Sequence, residues 1–428
     1  MYQGRNQSTA RDLSSPPARQ TSIWLTCRQA MDRHAEVVRV SIRAVGLYVA
    51  LITLGLWLGL HVLPHGPTWV NGGLLRMAKF WDGGWYLSIA KHGYAWNGHA
   101  DTQQNVAFFP LYPLIERLFH GMGFSWEAAA IIPSLLFAAS LPLLFSALLR
   151  NINTNIRHDV ATYALMLYPG AQFYLGGYPT SLMNLIVILV LWATLARRYW
   201  LAATISGIGT AAGPLMIFLS VAVCGSYLYD RFQKSDASAS RILRRLIPMG
   251  ALAISGFLLY VGFLYARFGD PLAFHQAQRA WGHLPLATRI YRFFTLASIF
   301  GGGYSKFLLS LIPFGNTQPL RVFEGSLQAT LNTLTFVVLA CSLWYARRKL
   351  PRVMVLYAAL VLVAYQWFLG SILGPVSTAR LVFIAIPAFL AIGSMASRFP
   401  RTTCGVLAFF AMALVVQTAL FTAGYWVV

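Results

Sequence analysis

Carboxylates are scarce in this chain of 428 residues: 12 Asp and Glu stand against 33 Lys and Arg, and charged residues total 11% where a soluble domain has roughly 25%. Cysteine is scarcer still. Cys27, Cys224, Cys341 and Cys404 lie far apart, three of them inside apolar runs, which excludes a disulfide framework or a zinc-ligand spacing. The outer histidines form no H-x-x-x-H pattern, so no metal ligands are assigned, although a divalent ion is not ruled out by spacing alone. There is no Walker loop, no G-x-S-x-G and no dinucleotide fingerprint. Chemistry on a soluble nucleotide-sugar donor therefore has no domain to house it.

Hydrophobic residues make up 57% of the chain. Apolar stretches of about 20 residues, each long enough to cross about 30 Å of hydrocarbon, recur almost to the last residue. Apolar length and turn or charge breaks give about eleven spans, near 44–63, 128–149, 160–176, 180–196, 200–213, 215–229, 247–266, 326–346, 353–373, 381–397 and 403–427. The short segments around Gly176-Gly177 and Gly213-Pro214 also read as broken or re-entrant helices. The expected fold is all-α: a polytopic membrane bundle over 41–428 behind a basic, disordered, cytoplasmic segment over 1–40. The run at 44–63 lies too far from Met1 for a signal peptide and reads as an uncleaved span.

With the N-terminus cytoplasmic, 22 of the 33 basic residues fall in inside segments. That bias supports N-terminus in and, with an odd span count, C-terminus out. The basic clusters between spans are thus topogenic rather than nucleic-acid-binding. Two long segments face outward, about 64–127 and 267–325, the first and fourth outer loops, and each is expected to carry amphipathic helices.

Among the outer acids, Asp82 is the one set in aromatic and apolar sequence: Phe80-Trp81-Asp82-Gly83-Gly84-Trp85-Tyr86. On a helix, Trp81, Trp85, Ser88 and His92 share a face, and Asp82, Tyr86 and Ile89 share the next. Two readings of Asp82 stand side by side. It caps a helix or joins an ion pair, or it removes a proton from a hydroxyl acceptor while cations stabilise a departing phosphate. The second outer loop supplies cations. Gly269-Asp270-Pro271 makes a turn that starts a helix, on which His275, Gln278 and Arg279 share a polar face with a solvated surface as the plainer alternative. Lys306 and Arg380 are further outer cations in apolar sequence, equally suited to snorkelling toward headgroups.

At these motifs the chain resembles the membrane mannosyltransferases related to the second mannosyltransferase of GPI-anchor assembly, including bacterial relatives. The resemblance rests on Phe80–Tyr86 with His92-Gly93-Tyr94, on Phe108-Phe109-Pro110-Leu111-Tyr112-Pro113, on Phe268-Gly269-Asp270-Pro271 with Ala277-Gln278 and Trp281-Gly282, and on Arg380 leading toward Pro387. It implies a GT-C architecture with its site on the non-cytoplasmic face. The short chain, without long inserted loops, suggests a bacterial inner membrane, with an endoplasmic reticulum protein of the same topology as the alternative. The resemblance further implies a polyprenyl-phosphate sugar, mannose being typical, as donor, and no separate cofactor. The acceptor would be a hydroxyl of a lipid, glycan or protein. Asp82 takes the role of base or acceptor-positioning acid; Arg279, His275, Lys306 and Arg380 are the candidates for holding the phosphate, and Trp81, Trp85, Tyr86 and Trp281 for sugar stacking or interface contact.

Two family charges are absent. An acid expected in a Tyr-x-Glu-Ser context is Thr180 here, and an arginine expected in a Thr-Arg-x-x-Gly context is Ala211. Their joint absence suggests a pair lost as a unit, since losing one member of a buried pair costs about 3–5 kcal/mol and replacing both can be nearly neutral. The competing function classes are a transporter or flippase of lipid-linked sugars and a non-catalytic member of the family. A transporter is expected to place ionisable residues within its spans and to show internal repeats; neither is evident in the sequence.

Overall fold

The computed structural model describes residues 18–66, 69, 73–150, 152, 156–233, 238–282, 286–295, 319–368, 370–371, 374–375, 377–425 and 427. Lys306, His283 and nearly all of the apolar run from Phe293 to Phe314 lie outside them.

The chain is helical, with one short antiparallel pairing of Gly370–Ser371 with Gly374–Pro375. In chain order the helices are α1 (Ala18–His61), α2 (Asp82–His92), α3 (Leu111–Gly121), α4 (Trp126–Arg150), α5 (His158–Leu167), α6 (Thr180–Leu195), α7 (Tyr199–Thr210), α8 (Ile217–Gln233), α9 (Ala239–Ala253) and α10 (Ser255–Phe268). They continue with α11 (Ala273–Ala277), α12 (Leu286–Phe294), α13 (Pro319–Ala346), α14 (Arg352–Phe368), α15 (Thr378–Leu381), α16 (Pro387–Met395) and α17 (Pro400–Thr422). α1 begins at Ala18, well ahead of the boundary at residue 40 drawn from composition.

Among the described residues, five helices are long and apolar enough to cross a membrane: Ala35–His61, Trp126–Leu149, Pro214–Gln233, Leu327–Ala346 and Pro400–Thr422. Three bent pairs are apolar enough to be a broken span or a re-entrant loop each: Pro169–Leu175 with Thr180–Leu195 at 115°, α9 with α10 at 60°, and Thr378–Ile384 with α16 at 90°. Several short apolar runs from the sequence thus become halves of bent helix pairs. α7 has 12 residues and reaches about 18 Å at 1.5 Å per residue, short of a full crossing. The break expected at Gly176-Gly177 is present and is the sharpest of the three.

One large apolar core joins faces of α1, α4 to α8, α13, α14, α16 and α17, with Tyr168, Phe383, Phe389 and Phe410 among its fully buried rings. At one end a second cluster sits beneath the loop helices. It gathers Val106, Phe109, Tyr260, Leu264, Ala273 and Ala277. Segments 64–127 and 267–325, far apart in sequence, therefore share one small core.

Candidate functional site

The site begins with a backbone constraint. Trp81 has φ 50°, in the left-handed region, a conformation that costs a non-glycine residue about 1–3 kcal/mol. It turns the chain sharply out of the 3₁₀ turn Leu74–Lys79 and into α2, whose first residue is Asp82. Gly83 permits that turn: a methyl group on it would lie 2.8 Å from the Ala78 carbonyl oxygen. The carboxylate stands at the α2 N-terminus, where the helix dipole favours an anion.

The partner arrives from the far end of the chain. Arg380 Nη1 donates to Asp82 Oδ2 at 2.5 Å, across 298 sequence positions. Both groups are half-buried, 23% exposed for the Asp82 side chain and 17% for Arg380. Arg380 sits on α15, one half of the broken pair. Its helix is tied down on both sides: the Ala379 amide donates to Asn332 Oδ1 at 3.2 Å, and Thr378 exchanges a hydrogen bond with Tyr365. Gly170 makes the close approach possible, since a methyl group there would lie 2.1 Å from the Ala379 carbonyl oxygen. The guanidinium lies 5.6 Å from the Phe173 ring centre and 5.5 Å from that of Tyr178, within cation–π range. Tyr178 is itself anchored, its hydroxyl donating to the Phe80 carbonyl at 3.1 Å.

The expected face of Trp81 with Trp85 is split, because Trp81 precedes the helix in a left-handed conformation. Trp81 Nε1 donates to the Tyr425 carbonyl at 3.3 Å, toward the chain's C-terminal end. Trp85 points elsewhere. It stacks on Phe108, with ring centres 6.0 Å apart, and meets the edge or face of Trp281 at 6.1 Å; Phe108 and Trp281 are 5.6 Å apart. Three aromatics from three separate motifs thus converge at Trp85, which lies one turn along α2 from Asp82. Tyr86 completes the wall: it packs edge-on against Phe108 and Tyr112. Burial is the main reason its phenol is raised above its ordinary range; Arg380 lowers it, while Asp82 and Glu116 raise it further.

Asp270 behaves as the turn residue expected. It accepts from the Leu272 amide at 2.9 Å and from the Gln276 side chain at 2.8 Å. The helix it starts is short, though. α11 ends at Ala277 and continues as a 3₁₀ turn over Gln278–Trp281. The polar face of His275, Gln278 and Arg279 is therefore not that of one regular helix. Gln278 turns inward to donate to the Ala107 carbonyl at 3.0 Å, while His275 and Arg279 are exposed on the segment that carries Trp281.

One acidic residue was missed. Glu116 on α3 is fully buried and neither carboxyl oxygen has a hydrogen-bond partner. Burial holds it well above the usual carboxylate range, with Lys91 opposing. The signal was present in the spacing: Tyr112 and Glu116 lie four apart, and Leu114 and Leu118, both exposed, occupy the other face. Among the described residues no group of three His, Cys, Asp or Glu side chains could hold a metal ion, and Cys224, Cys341 and Cys404 are free thiols.

No family model matches the chain, and no curated protein sequence matches it significantly. Among solved structures it is similar to the crystal structure of the Archaeoglobus fulgidus oligosaccharyltransferase in the apo form, with a TM-score of 0.42 and 13% identity over 90% of this chain. The chain spans 56% of that protein's length. At this score the likeness carries no part of the functional reading.

Proposed function

We propose that the protein is an inverting glycosyltransferase that moves a hexose, mannose in the first instance, from a polyprenyl-phosphate carrier to a hydroxyl of a lipid, glycan or protein. The arrangement would be GT-C-like, in a bacterial inner membrane with the site on the non-cytoplasmic face. The observation that carries this reading is the half-buried Asp82–Arg380 pair, which joins the first and last motif blocks beside an aromatic wall.

In the reaction, the acceptor oxygen bonds to the sugar's anomeric carbon as the bond from that carbon to the phosphate oxygen breaks. Asp82 accepts the acceptor's hydroxyl proton, and polyprenyl phosphate leaves with the bonding electrons. Arg380 has guanidinium N–H groups beyond the one given to Asp82, in a fork suited to phosphate oxygens. Exposed Arg279 and His275 are the further candidates for the phosphate in this reading; Lys306, the fourth candidate from the sequence, lies outside the described residues. Trp85 and Trp281 supply stacking surface for the sugar.

A transporter or flippase is disfavoured by one observation. Among the described residues the fully buried charged residue is Glu116, on α3 and outside the spans, and the half-buried cation of a bent pair, Arg380, is engaged by Asp82, whereas transporters place unpaired ionisable groups within their spans. The test is to incubate the purified protein with radiolabelled polyprenyl-phosphate mannose and extracted membrane lipids. Wild type should label a new product and Asp82→Asn should not. Equal labelling by a folded D82N variant overturns the base assignment, and label that only changes membrane leaflet indicates a flippase.

A further inference from the structure

Glu116 has no role in the transfer described above, yet a buried carboxyl with no hydrogen-bond partner is costly to keep. Its position gives it one. A methyl group on Gly177 would lie 3.5 Å from Glu116 Oε1, 3.2 Å from the Ala78 carbonyl oxygen and 3.1 Å from the Ala130 methyl. The carboxyl is therefore packed under the Gly176–Tyr178 turn, at the sharpest break in the membrane helices. Tyr112, one turn earlier on α3, fixes the helix by donating to the Ala130 carbonyl at 2.6 Å.

From that turn the contacts run directly to the site. The Tyr178 amide donates to the Gly176 carbonyl at 2.9 Å, and its hydroxyl reaches the Phe80 carbonyl at 3.1 Å. Its ring edge lies 3.5 Å from where a methyl on Gly83 would stand, beside Asp82. Its ring face meets the Arg380 guanidinium at 5.5 Å. Tyr178 is thus a wall of the ion pair, and its neighbour in the same turn, Gly177, is the residue that packs over Glu116.

We infer that Glu116 is a positioning residue that acts as a neutral carboxylic acid: uncharged, it fills the space beneath the Gly176–Tyr178 turn and keeps Tyr178 against Arg380 and Asp82, and its ionisation releases the turn and disengages the site. This rests on the transferase reading only for its effect on turnover. The physical reason is that an anion in that space has no donor in place and must draw in water or a cation.

The charged and titratable groups around Glu116 are few. α2 presents Tyr86 and Lys91, and Lys91 is the cation that favours the Glu116 anion. On its own helix Tyr112 feels the Glu116 charge, while Arg117 is turned away to the Ala90 carbonyl at 2.6 Å. From α4 and from the 3₁₀ turn Leu74–Lys79 that precedes α2 come Glu127 and Lys79, paired with each other at 2.8 Å, with Lys91 at 3.8 Å from Glu127. The turn itself contributes Tyr178. Lys91 is therefore held partly by another acid.

The sign of the pH effect follows from the raised value in the fold. The neutral form is favoured by folding, so the stability contribution is complete below the unfolded value, about 4.3, and is lost as pH rises through the folded one. The experiment uses the full chain in nanodiscs, wild type against Glu116→Gln, a neutral isostere. Infrared difference spectra between pH 5 and pH 9 should show a protonated carboxylic acid band in wild type at neutral pH that is missing from E116Q. The thermal midpoint of wild type should fall with rising pH while that of E116Q stays flat. Transfer by wild type should drop about tenfold per pH unit beyond the Glu116 ionisation, and E116Q should keep its activity there with an unchanged KM at low pH.

A wild-type spectrum without that band at neutral pH overturns the inference. So do parallel wild-type and E116Q stability profiles, or an alkaline loss of transfer that E116Q retains. Should E116Q not fold, a pH titration of the wild-type band against its thermal midpoint decides alone, the two moving together or not. Neither the band nor the midpoint depends on transfer, so loss of the transferase reading and loss of this one are distinguishable.

Discussion

The Asp82–Arg380 pair makes opposite demands on stability and on activity, and a double-mutant cycle separates them. The variants are Asp82→Asn, Arg380→Gln and both together. Removing one member of a fully buried pair costs about 3–5 kcal/mol, and a surface pair contributes about 0–1 kcal/mol. With 23% and 17% of the two side chains exposed, each single change should fall between these limits, at about 1–3 kcal/mol. The double variant should recover much of that, because neither neutral group leaves a charge unpaired. Activity should not follow stability. Loss of a general base lowers turnover about 10²- to 10⁴-fold, so D82N and the double variant should be equally inactive although the double variant is the more stable. Thermal or denaturant unfolding in detergent gives the first quantity and transfer of labelled mannose the second. Additive losses, the double variant being destabilised by the sum of the two single losses, refute the energetic coupling; recovered transfer in the double variant refutes the assignment of Asp82 as base.

Other outcomes follow from particular contacts. Gly170→Ala forces a methyl group to within 2.1 Å of the Ala379 carbonyl oxygen. Because the neighbour is backbone, it should cost at least the 1–3 kcal/mol typical of overpacking and lower transfer by displacing Arg380; an unchanged thermal midpoint argues against the close approach. Trp281→Ala and Trp85→Ala remove rings 6.1 Å apart. If they hold the sugar, KM should rise by about 5- to 10-fold for the loss of an aromatic contact of about 1–1.5 kcal/mol, with kcat less affected. Thr180→Glu and Ala211→Arg restore the charges that the resembled family carries. Met183 packs on Gly213 and Ile186 on Gly209, so the start of α6 and the end of α7 lie at one level. Each single change should destabilise and the pair should recover part of the loss, measured by unfolding; a double variant that loses the sum of the two single losses removes the pairing idea.

Class and patterning needed no structure. Twelve acids in 428 residues, with apolar runs near 20 residues, define a helical membrane chain because hydrocarbon leaves each backbone donor and acceptor to be satisfied within its own segment. Asp82 stood out from its neighbours alone: a carboxylate among tryptophans and glycines is costly unless something answers it. The Asp270 turn was equally legible, since its carboxylate bonds the backbone amide two residues on, although the helix itself starts only at Ala273. Nothing in a linear reading, however, could choose Arg380 over Arg279, Lys306 or His275 as the group that meets Asp82. That choice is made by a 90° break between Thr378–Ile384 and α16 and by Gly170, which lets α15 come close. Tertiary contact likewise sent Trp81 and Trp85 to different neighbours, through one left-handed residue that helical periodicity does not anticipate. It also turned Glu116 from one more outer-loop acid into a carboxyl sealed beneath the site. Periodicity reports which side of a helix is apolar; only the packing of α3 under the Gly176–Tyr178 turn decides that an acid on the other side never reaches water.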